Sequence, residues 1–341
     1  MPNRDVVVIG ASAGGIEALQ ELCSRLPADL DAAVMIAMHV SPFSNGLLPR
    51  ILGRAGPLPV VHPVNGEAIR KGQIYVAPPD FHLVVERGYL VTVQGPRENH
   101  NRPAIDPLFR SAAVAYGPRV IGVVLTGLLD DGTSGLMVIR AHGGVAVVQN
   151  PKTALFSAMP TCALERVPDA WVKRVSDIPE LLVRLINERV DDVTPIPPSD
   201  PAERETKIAE LDMSEVEKDT HVGKPSPFAC PECGGVLWEI DQEGMLRFRC
   251  RVGHAYTARH LETEQRQATE TALWSALRAL EESASLYRRM AQRAHSANYD
   301  RTQAAYEERA ATATENARVL RNFLLTVSLP EVQMERAPET A

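Results

Sequence analysis

Val6-Val7-Val8-Ile9-Gly10-Ala11-Ser12-Ala13-Gly14-Gly15 opens the chain with an unbroken apolar run that ends in a Gly-x-Ser-x-Gly turn at Gly10, Ser12 and Gly14. A β-branched run of this length, with no polar alternation, is a strand buried on both faces, the mark of a parallel sheet. The turn after it reads in two ways. A serine at a sharp strand-to-helix turn is held clear of the backbone, with amide N–H groups of the next helix aimed at the same spot, as a nucleophile requires. Gly10, Gly14 and Gly15 would equally suit a dinucleotide-binding turn or plain tight packing.

Two further strands bear on the choice. Residues 33–40, Ala-Val-Met-Ile-Ala-Met-His-Val, form a second buried run. A dinucleotide site wants an acidic residue near its end to hold a ribose hydroxyl, and the chain offers His39. In a right-handed β-α-β unit the carboxyl ends of successive strands lie side by side, so His39 can reach Ser12 and take its proton. Taken alone, His39 also fits a buried imidazole satisfied by a carbonyl. Residues 119–126 form a third buried strand that runs into Gly127-Leu128-Leu129-Asp130-Asp131-Gly132-Thr133. A carboxylate there would orient His39 and stabilise the imidazolium, completing a Ser-His-Asp relay. Either aspartate would also serve as the N-cap of a helix over 133–142.

These segments carry a family resemblance. Residues 8–15, Met38-His39-Val40, residues 100–111 (with Arg102-Pro103 and Asp106-Pro107-Leu108-Phe109) and residues 125–132 resemble, in order and spacing, the catalytic domain of CheB-type chemotaxis protein-glutamate methylesterases. The resemblance covers residues 1 to about 190. It implies Ser12 as nucleophile, His39 as general base and Asp131 as orienting acid, because the family aspartate directly precedes the glycine that is Gly132 here. The order Ser, His, Asp differs from the Ser, Asp, His order of α/β-hydrolases, which argues against a lipase. Two positions depart from many relatives: Ala13 replaces a polar residue and Leu128 a methionine, so oxyanion contacts fall to backbone N–H groups. Typical members also carry an N-terminal receiver domain. The chain is read as lacking one, which leaves its mode of control open.

The resemblance implies an esterase that demethylates glutamate methyl esters on chemoreceptor-type proteins, with glutamine deamidation as a neighbouring activity and no catalytic cofactor. A nucleotide-binding α/β domain and a catalytically idle signalling scaffold are the alternatives. The fold expected is α/β: a mainly parallel, doubly wound, Rossmann-like sheet flanked by helices, with helical candidates at 16–26, 46–52, 107–116, 134–141 and 178–188. Shorter strands are expected at 73–77, 82–86 and 89–94, the last two joined in a hairpin at Arg87-Gly88, so the sheet is mainly parallel with an antiparallel excursion.

The 341 residues suggest two or more domains. The apolar runs are of strand length, well short of the ~20 residues a membrane span needs, and the N-terminus lacks a secretory signal, so a cytoplasmic protein is expected. Of the formal charge of −7, the stretch 191–227 carries −6. Its prolines and scarcity of large apolar groups predict a solvated tether, with residues 208–216 able to form a transient helix. No basic surface suited to nucleic acid is visible.

Past the tether, Cys230, Cys233, Cys250 and His254 follow the spacing Cys-x2-Cys-x16-Cys-x3-His, which predicts a zinc ribbon over 228–256 built on a hairpin of residues 236–240 and 245–249. Four protein ligands leave no open position, so the metal is structural. About thirty residues bury too little apolar surface to fold without it. Cys23 and Cys162 read as core residues. Residues 257–330 predict an antiparallel helical hairpin turning at 296–300, its stripe formed by Leu273, Leu277, Leu280, Leu320, Phe323 and Leu324, and able to support self-association.

Overall fold

Seven strands pair into one parallel sheet in the computed structural model, which describes residues 2–190, 200–212 and 222–326. In chain order the elements of the first part are β1 (Val6–Ala11), α1 (Gly15–Ser24), β2 (Ala33–Met38), α2 (Leu48–Ala55), β3 (Val60–Val61), β4 (Glu67–Ala68), β5 (Gln73–Val76), β6 (His82–Glu86) and β7 (Tyr89–Val93). They continue with α3 (Ile105–Tyr116), β8 (Val120–Val124), α4 (Thr133–Ala141), β9 (Val145–Gln149), α5 (Ala158–Arg166), β10 (Trp171–Lys173) and α6 (Ile178–Ile186). The sheet order is β10-β9-β8-β1-β2-β5-β3. The chain therefore winds one way from β1 to β2 and the other way from β1 to β8. β1 is the switch point, where the crevice for chemistry opens at the carboxyl edge.

Alternation along β1 assigns each face its core. Val6 and Val8 pack with Phe109, Leu108 and Ile139 beneath α3 and α4. Val7, Ile9 and Ala11 pack with Leu19, Leu22 and Leu182 beneath α1 and α6. All five β1 side chains named here are at most 2% exposed, and burying a valine or isoleucine contributes about 1.5–3 kcal/mol. β4, β7 and β6 form a separate antiparallel sheet, with the β6–β7 hairpin turning where Arg87-Gly88 predicted.

The expected tether needs correcting within its described part. Pro201–Ala209 folds as α7, started by Pro201 at the first helical position and by the Asp200 carboxylate, which accepts from the Ala202 N–H. Ala202 is part of the α3-side core. Acidic composition pointed to solvent, but Glu205 is 3% exposed because it has buried cationic partners. Residues 191–199 and 213–221, which include 213–216 of the transient helix, lie outside the described residues.

Next come β11 (Lys224–Ala229), β12 (Val236–Gln242), β13 (Met245–Cys250) and β14 (Ala255–Thr257), a four-stranded antiparallel sheet. Leu237, Phe248, Tyr256 and Leu261 form its small core around Cys230 and Cys250. Two long helices follow, α8 (Ala258–Ser296) and α9 (Asp300–Thr326). The described residues divide into two compact units, one up to 261 and the other from 262 to 326, the division falling inside α8. In the second unit the buried residues are mainly Ala284, Ala291, Ala294, Ala310, Ala313 and Ala317, with Leu277. The predicted stripe is corrected in part, because small residues let two helix backbones approach closely while Phe323 stays exposed. No described helix is long and apolar enough to cross a membrane.

A buried ion cluster joins the antiparallel module to the main sheet within the first unit. Arg110 of α3 binds Glu98 in a fork, at 2.8 and 3.2 Å. Arg249 of β13 donates to both Glu98, at 2.9 Å, and Glu205, at 2.6 Å. Arg247 forks onto Glu205 at 2.7 and 3.0 Å. Burial alone would push the Glu98 carboxyl up. The guanidiniums of Arg110 and Arg249 reverse this and hold it at about 2. Burial likewise opposes ionisation of Glu205, and Arg247, Arg249 and Arg110 hold it well below the usual range. Carboxyls depressed in this way add stability above their unfolded values, and it is lost as pH falls. From the Glu98 values the loss should run from about 4.5 down towards 2. At neutral pH, Glu205→Gln leaves three arginines facing one carboxylate and should cost the first unit about 3–5 kcal/mol in urea unfolding.

Candidate active site

The ladder of the parallel sheet continues past the strand ends and places the side chains that matter. Leu125 N–H donates to Gly10 O at 2.9 Å, Ser12 N–H to Thr126 O at 3.0 Å, and His39 N–H to Ala11 O at 3.2 Å. Gly14, with φ 71°, turns the chain into α1. The Thr126 hydroxyl donates to Ala13 O at 3.0 Å, which ties this turn to the end of β8. A Cβ on Gly127 would lie 2.9 Å from the Ser12 Cβ and collide with the Met159 sulfur, so only glycine lets the β8 loop pass behind the serine.

Ser12, His39 and Asp131 form one hydrogen-bonded line. Ser12 Oγ lies 3.0 Å from His39 Nδ1, and His39 Nε2 lies 2.6 Å from Asp131 Oδ2. An ionised carboxylate only accepts, so Nε2 carries the proton and Nδ1 is left to accept from the serine hydroxyl. The His39 side chain keeps 13% exposure, whereas Asp131 has none. The carboxylate is surrounded by donors: Ile105 N–H at 2.8 Å, Asp106 N–H at 3.3 Å, Gly132 N–H at 2.9 Å and Asn99 Nδ2 at 2.9 Å. Two of these are the first N–H groups of α3, where the helix end favours an anion. Burial would raise the Asp131 carboxyl, but its hydrogen bond and charge interaction with His39 and the Ile105 N–H hold it well below the carboxylate range. Asp106 moves the opposite way, lifted by burial and by the charge on Asp131.

Neither aspartate caps α4 with its side chain: Gly132 occupies the cap position. This corrects the capping alternative. The Asp130 backbone carbonyl accepts from Thr133 N–H, while its carboxylate accepts from the Thr257 hydroxyl at 2.7 Å and faces His260 Nδ1 at 2.9 Å. Sequence reading misses Asn99 and, although it quotes Thr126 and Asp106 within the resembling segments, assigns neither a role. Asn99 lies just before the 100–111 segment, and nothing in its local context announces a bond to a carboxylate thirty-two residues on.

The second constellation also assembles. The ligand atoms of Cys230, Cys233, Cys250 and His254 lie within 4.8 Å of one another. Cys233 and Cys250 sulfurs are 3.7 Å apart, and His254 Nδ1 lies 3.7 and 3.5 Å from the Cys230 and Cys250 sulfurs. A tetrahedron with metal–sulfur bonds of about 2.3 Å has edges of roughly 3.8 Å, so the donor set fits a metal ion. His254 Nε2 faces Glu232 Oε2 at 3.3 Å, the carboxylate–imidazole pairing that orients a metal-binding histidine. Cys23 and Cys162 are buried on α1 and α5, and burial pushes their thiols up to about 12 and about 11.

Residues 7–182 match the CheB methylesterase family. The chain belongs to that family. A Leptospira interrogans protein named for protein-glutamate methylesterase and protein-glutamine glutaminase activities is 39% identical over 184 residues, covering 54% of this chain and 95% of its own. A Pyrococcus horikoshii protein-glutamate methylesterase/protein-glutamine glutaminase is 31% identical over 190 residues, and the chain spans 52% of its length. The crystal structure of the Thermotoga maritima CheB methylesterase catalytic domain superposes with a TM-score of 0.51 at 31% identity, covering 53% of this chain and 98% of that one. These matches rest on the CheB-like part. The expected α/β fold with a parallel, helix-flanked sheet agrees with them, and the Cys3His cluster and helical hairpin stand beyond it.

Proposed function

We propose that the protein is a serine hydrolase that removes methyl groups from glutamate methyl esters on chemoreceptor-type signalling proteins, with Ser12 as nucleophile, His39 as general base and Asp131 as orienting acid. The observation that carries this reading is the single line of hydrogen bonds through those three side chains at the switch point of the sheet. Ser12 Oγ attacks the ester carbonyl and His39 Nδ1 takes its proton. The imidazolium is stabilised by Asp131, and it returns the proton to the departing oxygen so that methanol leaves. Water, activated by the same imidazole, then releases the glutamate. The N–H groups of Ala13 and Gly14 stand at the front of α1, and among the described residues no hydrogen bond of theirs competes for them. They are the oxyanion donors of this reading, and neither Ala13 nor Leu128 removes a backbone donor.

Glutamine deamidation follows the same path with ammonia as the leaving group, and both relatives named above carry that second activity in their names. The chemistry needs no cofactor. Zinc held by Cys230, Cys233, Cys250 and His254 would fix the antiparallel module, whose own core is only a few residues deep. None of the five cysteines is joined in a disulfide, in keeping with the cytoplasm, where we place the protein. The exposed apolar residues of the helical unit, such as Trp274, Val319 and Phe323, favour self-association through that unit.

Two measurements test these assignments. With membranes carrying labelled receptor methyl groups, Ser12→Ala should lower methanol release by a thousandfold or more. Release at the normal rate would overturn the esterase reading. Full-length protein purified without added metal should contain one zinc per chain, and Cys233→Ser should lower that content and the melting temperature of the first unit. Metal-free protein that melts normally would remove zinc from the account.

A further inference from the structure

The antiparallel module reaches the catalytic acid through a short chain of contacts. β14 delivers Ala255, Tyr256 and Thr257 directly after the His254 of the cysteine cluster, and α8 opens at Ala258. Ala255 O accepts from Asn99 N–H at 2.7 Å, and Thr257 N–H donates to Asn99 Oδ1 at 2.9 Å. Asn99 is thus held by its backbone and by its side-chain oxygen. Its side-chain nitrogen, Nδ2, donates to Asp131 Oδ1 at 2.9 Å and to Asp106 Oδ2 at 3.1 Å. Asn99 has φ 50°, a left-handed backbone that asparagine tolerates and most residues do not. All three links are buried: Asn99 is 3% exposed, Thr257 1% and Asp131 0%.

A second set of contacts grips the residue beside Asp131. The loop from β8 to α4 passes through two left-handed positions, Leu129 at φ 59° and Gly132 at φ 84°. A non-glycine residue at positive φ persists where its surroundings hold it there. Between the two positions, the Asp130 carboxylate accepts from the Thr257 hydroxyl and is faced by His260 Nδ1. The Thr257 oxygen also accepts from the His260 N–H at 3.3 Å, which caps the first turn of α8. One threonine therefore ends the module's last strand, starts the long helix and holds both neighbours of the relay.

We infer that the segment leaving the cysteine cluster is a built-in brace for the catalytic acid: Asn99 is a positioning residue for Asp131, and Thr257 is a positioning residue for Asn99 and for the Asp130–Asp131 loop. The inference rests on the esterase reading for its kinetic consequence, but the brace itself is a matter of His39–Asp131 geometry. Asp131 must accept from His39 Nε2 in the plane that leaves Nδ1 aimed at Ser12, and a rotation of the carboxylate breaks that aim before it alters substrate binding. The module on this account supports the active site through Asn99 and Asp130.

The test uses the full chain and two readouts. The first is kcat and KM for release of methanol from methylated receptor membranes. The second is the proton resonance of His39 Nε2–H in protein with labelled histidine, which reports its bond to Asp131. Asn99→Gly, which keeps the left-handed backbone and removes the donor, should lower kcat about tenfold or more, with KM within twofold, and shift or broaden the His39 signal. Thr257→Val should lower kcat about three- to tenfold with a smaller shift, and Thr257→Ser should restore both. Ser12→Ala should abolish turnover while leaving the His39 signal in place. A His39 signal and kcat unmoved by Asn99→Gly and Thr257→Val would overturn the brace. So would activity lost only in step with melting temperature and with the His39 signal intact. If Ser12→Ala keeps turnover, the esterase reading fails, and the His39 signal still decides whether the brace exists.

Discussion

A carboxylate with no solvent exposure has to be satisfied by donors in the protein, and Asp131 has five: the imidazole of His39, the side-chain amide of Asn99 and the backbone N–H groups of Ile105, Asp106 and Gly132. An uncompensated buried charge is strongly unfavourable, and these five donors together offset the cost of burying it. This one requirement ties the end of β2, the front of α3, the loop before α3 and the loop after β8 to a single point. Packing supports the same convergence. A Cβ on Gly10 or on Gly132 would collide with Ile105, the first residue of α3, so the helix end can approach the carboxylate because those two positions are glycine.

A second buried electrostatic system stands beside the first. Glu98 and Glu205 with Arg110, Arg247 and Arg249 put five charges at no more than 5% exposure, drawn from the loop before α3, from α3, from α7 and from β13. Such a cluster adds little net stability over apolar packing, but it is unforgiving about which segments meet, because losing one member strands the rest. It therefore selects one seating of the antiparallel module within the first unit. The seating brings Thr257 to Asn99 and Asp130. Arg247 and Arg249 of the module spend their charge on these internal pairs.

Much of this was legible in the residues. Apolar runs without alternation gave parallel strands, the Gly-x-Ser-x-Gly turn gave a serine at a strand end, and the Cys-x2-Cys-x16-Cys-x3-His spacing gave four donors that meet. These signals are local or depend on short-range periodicity. Residues that act through long-range partners were silent: Asn99, Glu98 and Glu205 look like ordinary polar surface in a linear reading, and Glu205 sits in a stretch whose composition argued for a tether. Val145–Gln149 and Ala158–Arg166 carry no motif of their own, although both complete the sheet and its cover. In the helical unit the converse holds: large apolar residues dominate a linear reading of the stripe, while alanines fill the interior.

The central claim is that Asp131 directs His39 and so makes Ser12 reactive. Asp131→Asn preserves size and places an amide where the acceptor stands, so His39 can no longer keep its proton on Nε2 and its lone pair on Nδ1. The kcat for ester hydrolysis by Asp131→Asn measures this most directly. The account predicts a fall of about 10⁴-fold with the fold intact. Turnover within a few-fold of the unaltered protein would contradict it.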